Sequence, residues 1–289
     1  MWRDFTVDHA GVRIAARDYG GRGRDAVFIH GGPGQNLATW DHFIPLMDAD
    51  IHAIALDMRG NGASSDADDY SYEALASDIH AVVEHCDLVA PLVVGHSWGG
   101  QLAVCYASRH TCGGVVGIDG WITDVSTELG DDVWRSIEES YAEDPFLRFV
   151  GTADELAHVL REVQRLYGDS AVAVAGRQFV ECDDGLYRWR RSVPELVAIQ
   201  RTIDREGVVL KTDLYASIQC PVLLIGGEHS PGDRDPRLGP WGFSRDATVP
   251  IAERFPNVQC VWWPCGHDIP HEMPRQLAQT LKDFATALP

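Results

Sequence analysis

Four stretches of this 289-residue chain gather side chains that could do covalent chemistry. GHSWGG sets Ser97 among glycines, VVGIDGW contains Asp119, and WWPCGHDIPHE carries His267 and His271. CPVLLIGGEHSPGDRD empties an apolar run into Glu228, His229, Ser230, Asp233 and Asp235. A serine hydroxyl is a weak nucleophile at neutral pH and acts only where a base takes its proton and dipoles await the oxyanion. The base needs a carboxylate to hold its tautomer and balance its charge. The chain therefore has the side chains for acyl transfer if the fold brings a serine, a histidine and an acid together.

The elements that must position them are legible in the hydrophobic pattern. AVFIHGGPG (26–34), HAIALDMRG (52–60) and PLVVGHSWGG (91–100) each read as a buried strand ending in a turn. YSYEALASDIHAVVEHCD (70–87) has apolar residues at helical spacing, QLAVCYASRH after Ser97 is helical again, and GGVVGIDG (113–120) supplies another strand. Strand, helix and strand in alternation, with continuously apolar strands, predict a mostly parallel central sheet flanked by helices. From Trp121 to about Leu214 the pattern changes to polar helical segments near 131–143, 153–167 and 193–205, with VAVAG (172–176) ambiguous. This predicts a helical lid, 121–214, inserted after the sixth strand into a core made of 1–120 and 215–289. PVLLIGG (221–227) and VQCVWWP (258–264) resume the strands, and PRQLAQTLKDFATAL (274–288) closes as an amphipathic helix with proline in its first turn.

GHSWGG fits G-x-S-x-G and stands between an apolar strand and a helix, the context in which that motif has meaning. A sharp strand-to-helix turn would lift the Ser97 hydroxyl above the sheet, with Gly95 and Gly99 leaving room for crowded backbone. HGGPG (30–34), DMRGNGAS (57–64), GHSWGG and a late GHD follow one another in the order seen in the α/β-hydrolase family, which the chain resembles over essentially its whole length. The resemblance implies an oxyanion hole from the backbone N–H groups of Gly32 and Trp98, with His30 bracing the loop. It also implies His267 as the base, in preference to His229, which precedes the last strand. HGGPG is similar to prolyl aminopeptidases too, but their elbow and their GRYD-type segment are absent.

The acid stays open between three carboxylates. Many relatives carry a G-E-x-D pattern that here reads Gly227-Glu228-His229-Ser230, with serine at the aspartate's place. Asp119 is preferred because a strand end is a stiffer mount than a loop; Asp233 would need a displaced loop, and Glu228 usually turns away. Asp57 and Arg59 read as an internal charge pair in a turn, and RWRR (188–191) as a solvated helix face rather than a site for acidic substrates. Trp40, Trp98 and Trp121 are candidates for lining an apolar pocket or for plain core. HDIPHE is not HExxH, and Pro270 opposes a regular helix carrying His267 and His271 on one face, so no metal is expected.

A net charge of −19 argues against nucleic acid or an anionic membrane as partner. No apolar run approaches the roughly 20 residues that span a bilayer, and MWRDFTVDHAG lacks a secretion signal, so a cytoplasmic location is expected. Seven scattered cysteines without CxxC spacing read as reduced thiols. The expected partner is a small molecule, with no cofactor; nothing in the sequence indicates an oligomeric state. The resemblance implies a serine hydrolase of esters, lactones or thioesters. Serine in place of an elbow aspartate argues against dehalogenase and epoxide hydrolase chemistry. A non-hydrolytic tailoring enzyme, or a ligand-binding protein on the same scaffold, are the other readings.

Overall fold

The computed structural model describes residues 2–32, 34–124, 130–229 and 245–289. Its strands are β1 Arg3–His9, β2 Val12–Gly20, β3 Arg24–Ile29, β4 Ile51–Leu56, β5 Leu92–His96, β6 Gly114–Ile118, β7 Val150–Gly151, β8 Phe179–Glu181, β9 Tyr187–Trp189, β10 Val222–Gly227 and β11 Val258–Trp263. Its helices are α1 Tyr72–His85, α2 Trp98–Ala107, α3 Asp131–Glu143, α4 Ala153–Tyr167, α5 Asp169–Gly176, α6 Val193–Val209, α7 Arg245–Arg254, α8 Ile269–Glu272 and α9 Pro274–Ala287. Eight strands form one sheet in the order β1-β2-β4-β3-β5-β6-β10-β11. From β4 to β11 neighbours are parallel, while β1 and β2 form an antiparallel hairpin that pairs antiparallel with β4.

The parallel strands are apolar along their length because both sheet faces are covered, and successive side chains divide between two cores. Val27 and Ile29 of β3, Val93 of β5 and Leu224 of β10 enter the core shared with α1 and α2. Ala26, Phe28, Val94, Leu223 and Ile225 enter the other, with Trp40, Phe43 and the α9 residues Leu277 and Leu281. Trp40 is therefore core, packed edge-on against Phe28 and Phe43. Parallel pairing brings the C-terminal ends of β5, β6, β10 and β11 to one rim, and the turns that leave this rim carry the candidate residues.

Between β6 and β10 the chain makes α3 to α6 and a small sheet of order β7-β9-β8. Thr152 and Ser192 start α4 and α6 with reciprocal capping boxes to Glu155 and Glu195. VAVAG falls in α5. RWRR is not a helix: β9 ends at Trp189, Arg188 pairs with Asp184, and the next two arginines turn inward. Arg190 donates to the carbonyls of Gly62 and Ser64 at 2.5 Å each, and Arg191 to that of Gly60 at 2.9 Å. The expected Asp57–Arg59 pair does not form either. Arg59 grips Asp78 of α1 at 2.6 and 2.8 Å, while Asp57 faces Arg177 at 2.8 Å.

All seven cysteines are free. No helix among the described residues is long and apolar enough to cross a membrane.

Candidate active site

Ser97 is the hinge between β5 and α2, held at φ 54° and ψ −123°. A non-glycine residue rarely adopts a positive φ, and such strain persists only where surroundings over-determine it. Here they do. The Ser97 N–H donates to the Ile118 carbonyl at 2.8 Å, extending the β5–β6 ladder into the turn. A Cβ on Gly95 would lie 1.9 Å from the Gly99 carbonyl oxygen, and one on Gly120 would lie 1.8 Å from that of Ser97. The bend therefore exists only with glycine at both places.

Asp119, the residue after β6, is also at positive φ, 42°, and fully buried. Its N–H donates to the Ile225 carbonyl at 2.7 Å, and one carboxylate oxygen accepts the Gly227 N–H at 2.9 Å. The carboxylate is thus bolted to β10 with its other oxygen turned to His267. His267 follows β11 in the turn before α8; its Nδ1 lies 2.5 Å from Asp119 Oδ2 and its Nε2 lies 3.0 Å from Ser97 Oγ. A carboxylate accepts, so Nδ1 carries the hydrogen and Nε2 is left to accept the Ser97 O–H. Ser97, His267 and Asp119 are joined in one hydrogen-bonded line.

The other acid candidates are placed differently. Glu228 is exposed and lies 3.5 Å from Arg245, while its backbone N–H continues the ladder to Trp263. Asp233 lies outside the described residues. His229 is exposed, with its N–H on the Cys265 carbonyl. His271 bonds Asp268 at 2.8 Å and stacks on His42. Among the described residues no group of three or more His, Cys, Asp or Glu side chains could hold a metal ion.

Around the serine, Trp98 opens α2, where the first N–H groups lack intrahelical partners and the helix dipole is positive. Gly32 stands in the loop after β3, two residues beyond His30, whose ring centroid lies 6.5 Å from that of Trp98. His30, wholly buried, braces this loop from both ring nitrogens. Nε2 accepts the Met58 N–H at 3.1 Å, so Nδ1 holds the hydrogen and donates to the Gly31 carbonyl at 2.7 Å. Burial lowers its pKa and keeps it neutral. Trp121 is buried against Trp262, with its indole N–H on Thr248 Oγ1.

One residue carries no sequence signal: His96, between Gly95 and Ser97. It is buried, its Nε2 donates to the His267 carbonyl at 2.9 Å, and its ring lies 5.0 Å from that of His267. Burial, then the neighbouring His267, lowers its pKa to about 4. As a neutral donor it ties the base's backbone to the serine's own strand.

The comparisons with known proteins agree with this architecture. The family model described as "Alpha/beta hydrolase family" matches residues 26–280. A bifunctional esterase/perhydrolase of Acinetobacter calcoaceticus is 24% identical over 296 aligned positions, covering 96% of this chain and 96% of that one. A non-heme chloroperoxidase of Kitasatospora aureofaciens is 38% identical over 104 residues, a match spanning 36% of this chain and only 38% of the relative. The crystal structure of E-2-(acetamidomethylene)succinate hydrolase superposes with a TM-score of 0.74 at 20% identity, covering 99% of this chain and 100% of that one. Since the matched pattern runs from β3 into α9 and takes in every turn of the site rim, this chain belongs to the alpha/beta hydrolase family.

Proposed function

We propose that the protein is a serine hydrolase that cleaves an ester, lactone or thioester of a small, partly apolar molecule through an acyl-enzyme. The observation that carries this reading is the line from Ser97 Oγ to His267 Nε2, 3.0 Å, and from His267 Nδ1 to Asp119, 2.5 Å. Ser97 attacks the carbonyl carbon as Nε2 takes its proton. The imidazolium is balanced by Asp119, which cannot swing away because Gly227 holds its second oxygen. The oxyanion receives the N–H groups of Gly32 and Trp98. His267 then protonates the departing alcohol or thiol. Water, deprotonated by the same nitrogen, releases the acid and restores Ser97.

The esterase activity in the name of the full-length Acinetobacter relative supports this class of substrate. Two epoxide hydrolases also share local segments, 37% identity over 32% of the chain for one of them. A serine at the elbow favours acyl transfer over the alkyl-enzyme that an aspartate would form.

The test is a fluorophosphonate probe with p-nitrophenyl acetate. The parent should label at Ser97 and turn over. Ser97→Ala should do neither, and Asp119→Asn should lose roughly 10⁴-fold in kcat because the amide favours the wrong imidazole tautomer. Turnover surviving in Ser97→Ala would refute the acyl-enzyme. Labelling of the parent without turnover of any ester would favour a tailoring reaction or ligand binding in the same pocket.

A further inference from the structure

One short segment of the insertion reaches down and holds the loop after β3. Gln178, 3% exposed and two residues beyond α5, donates from Nε2 to the carbonyl oxygens of Gly34 and Gln35 at 2.9 and 3.2 Å. Asn36 is fully buried; it caps the 3-10 turn Leu37–Trp40 with Oδ1 and donates from Nδ2 to the Val174 carbonyl of α5 at 2.9 Å. Arg177 pairs with Asp57, whose other oxygen accepts the Leu37 N–H at 2.7 Å. Residues 34 to 37 are thus each tied, directly or through Asp57, to residues 174 to 178.

The loop also bonds itself and the core, most closely where His30 donates to the Gly31 carbonyl and where the Leu37 N–H reaches Asp57, at 2.7 Å each. Gly31 N–H reaches the Gln35 side chain at 3.2 Å, and Gly34 N–H reaches Asn61 at 3.4 Å. The Gln35 N–H closes a turn on the Gly32 carbonyl at 3.1 Å. Gln178 therefore holds the far side of the turn that orients Gly32. A buried amide nitrogen bridging two successive carbonyls fixes two peptide planes at once, and an oxyanion donor must be aimed to within a few tenths of an ångström to act.

We propose that Gln178 is a positioning residue for the oxyanion hole: His30 holds the peptide of the Gly32 N–H through the Gly31 carbonyl, Gln178 holds the turn that follows, and the donor is fully aimed while the 174–178 segment of the insertion is seated on the loop. This rests on the reading of Gly32 and Trp98 as oxyanion donors. It makes the insertion part of the catalytic geometry as well as a cover.

The experiment compares Gln178→Leu, which removes both donors, and Gln178→Asn, which keeps the amide but falls short by one methylene, with the parent and Ser97→Ala. Arg188→Ala, cutting an exposed pair elsewhere in the insertion, serves as the control. With p-nitrophenyl acetate, both Gln178 variants should lose about 10- to 100-fold in kcat with KM changed less than about threefold, and phosphonylation of Ser97 should slow in parallel. Hydrogen exchange at the amides of 35–37 should quicken in both variants and stay at the parent rate in Arg188→Ala. The exchange arm reads the clamp without any turnover, and Gln178→Asn serves if Gln178→Leu fails to fold. A folded Gln178 variant whose kcat lies within twofold of the parent, or whose exchange at 35–37 is unchanged, would overturn the proposal. Undiminished turnover in Ser97→Ala would instead bring down the hydrolase reading on which it stands.

Discussion

At the scale of single residues, the neutral histidines that hold the site couple its stability to pH. The His96 pKa is lowered to about 4, against about 6.5 for an imidazole in the unfolded chain. Between these values the unfolded chain binds a proton that the folded chain refuses. Stability is therefore full above about pH 6.5 and falls as the pH drops toward 4, by roughly 3 kcal/mol at most from this group. Burial of His30 acts in the same direction. We expect His96→Gln, whose amide can still donate to the His267 carbonyl, to unfold in urea with a flatter dependence on pH between 6.5 and 4.5 than the parent. Parallel curves would refute the assignment. Of the three residues in the hydrogen-bonded line, Ser97 and His267 were legible because a glycine-framed turn and a position after the last strand are local signals. Asp119 was preferred but could not be separated from Asp233 and Glu228, because what distinguishes it is long-range: the bonds of Asp119 to Ile225 and Gly227 cross from β6 to β10. His96 and Gln178 act through contacts that no spacing announces.

At the scale of elements, the buried parallel strands were readable because two covered faces leave no polar alternation to confuse the pattern. The β1–β2 hairpin was missed. Its alternation is masked by charge, most clearly at Arg17, buried in β2 with its guanidinium shared between Asp4 and Asp41. The small sheet β7-β9-β8 was missed because strands of two and three residues carry no period. The DMRGNGAS turn was recognised as structural, but its charges were paired with each other when each serves a different neighbour. Asp57 anchors the insertion through Arg177, and Arg59 anchors α1 through Asp78. Arg59 and Asp78 are 4% and 0% exposed and joined by two hydrogen bonds, with further donation to the Asp69 carbonyl at 2.7 Å. Removing one partner strands a buried charge, which costs about 3–5 kcal/mol. Asp78→Ala should lower the unfolding free energy from urea titration by that amount, and replacing Arg59 by Met in the same chain should recover much of the loss. A single-variant loss under about 1 kcal/mol would show that the pair does not tie α1 to the turn.

At the scale of the whole molecule, 43 acidic residues face 24 basic ones, and several of the arginines are spent inside. Arg17, Arg59, Arg177, Arg190 and Arg191 show 24% or less of their side chains; Arg59 and Arg177 pair with the buried Asp78 and Asp57, Arg17 with Asp4 and Asp41, and Arg190 and Arg191 with Asp66 and the carbonyls of the 60–64 turn. These pairs take carboxylates inside with the arginines, Asp57 and Asp78 being 0% exposed, so the surface keeps the excess of acid that the composition gives, and folding compresses that charge against itself. Salt acts on this in two opposed ways. It weakens exposed pairs such as Arg165–Glu162 and Arg188–Asp184, whose attraction water already screens. It also shortens the reach of repulsion among all surface carboxylates, from about 30 Å at 0.01 M to about 10 Å at 0.1 M. Each exposed pair has little to lose, the buried pairs are shielded from the solvent ions, and the repulsion is summed over the whole surface. Screening should win. The melting temperature at pH 7 should rise between 0.01 and 0.1 M sodium chloride and then level off as the screening length drops below the spacing of neighbouring charges. The reverse trend, a fall in melting temperature over that range, would mean that surface pairs rather than net repulsion govern the stability of this acidic fold.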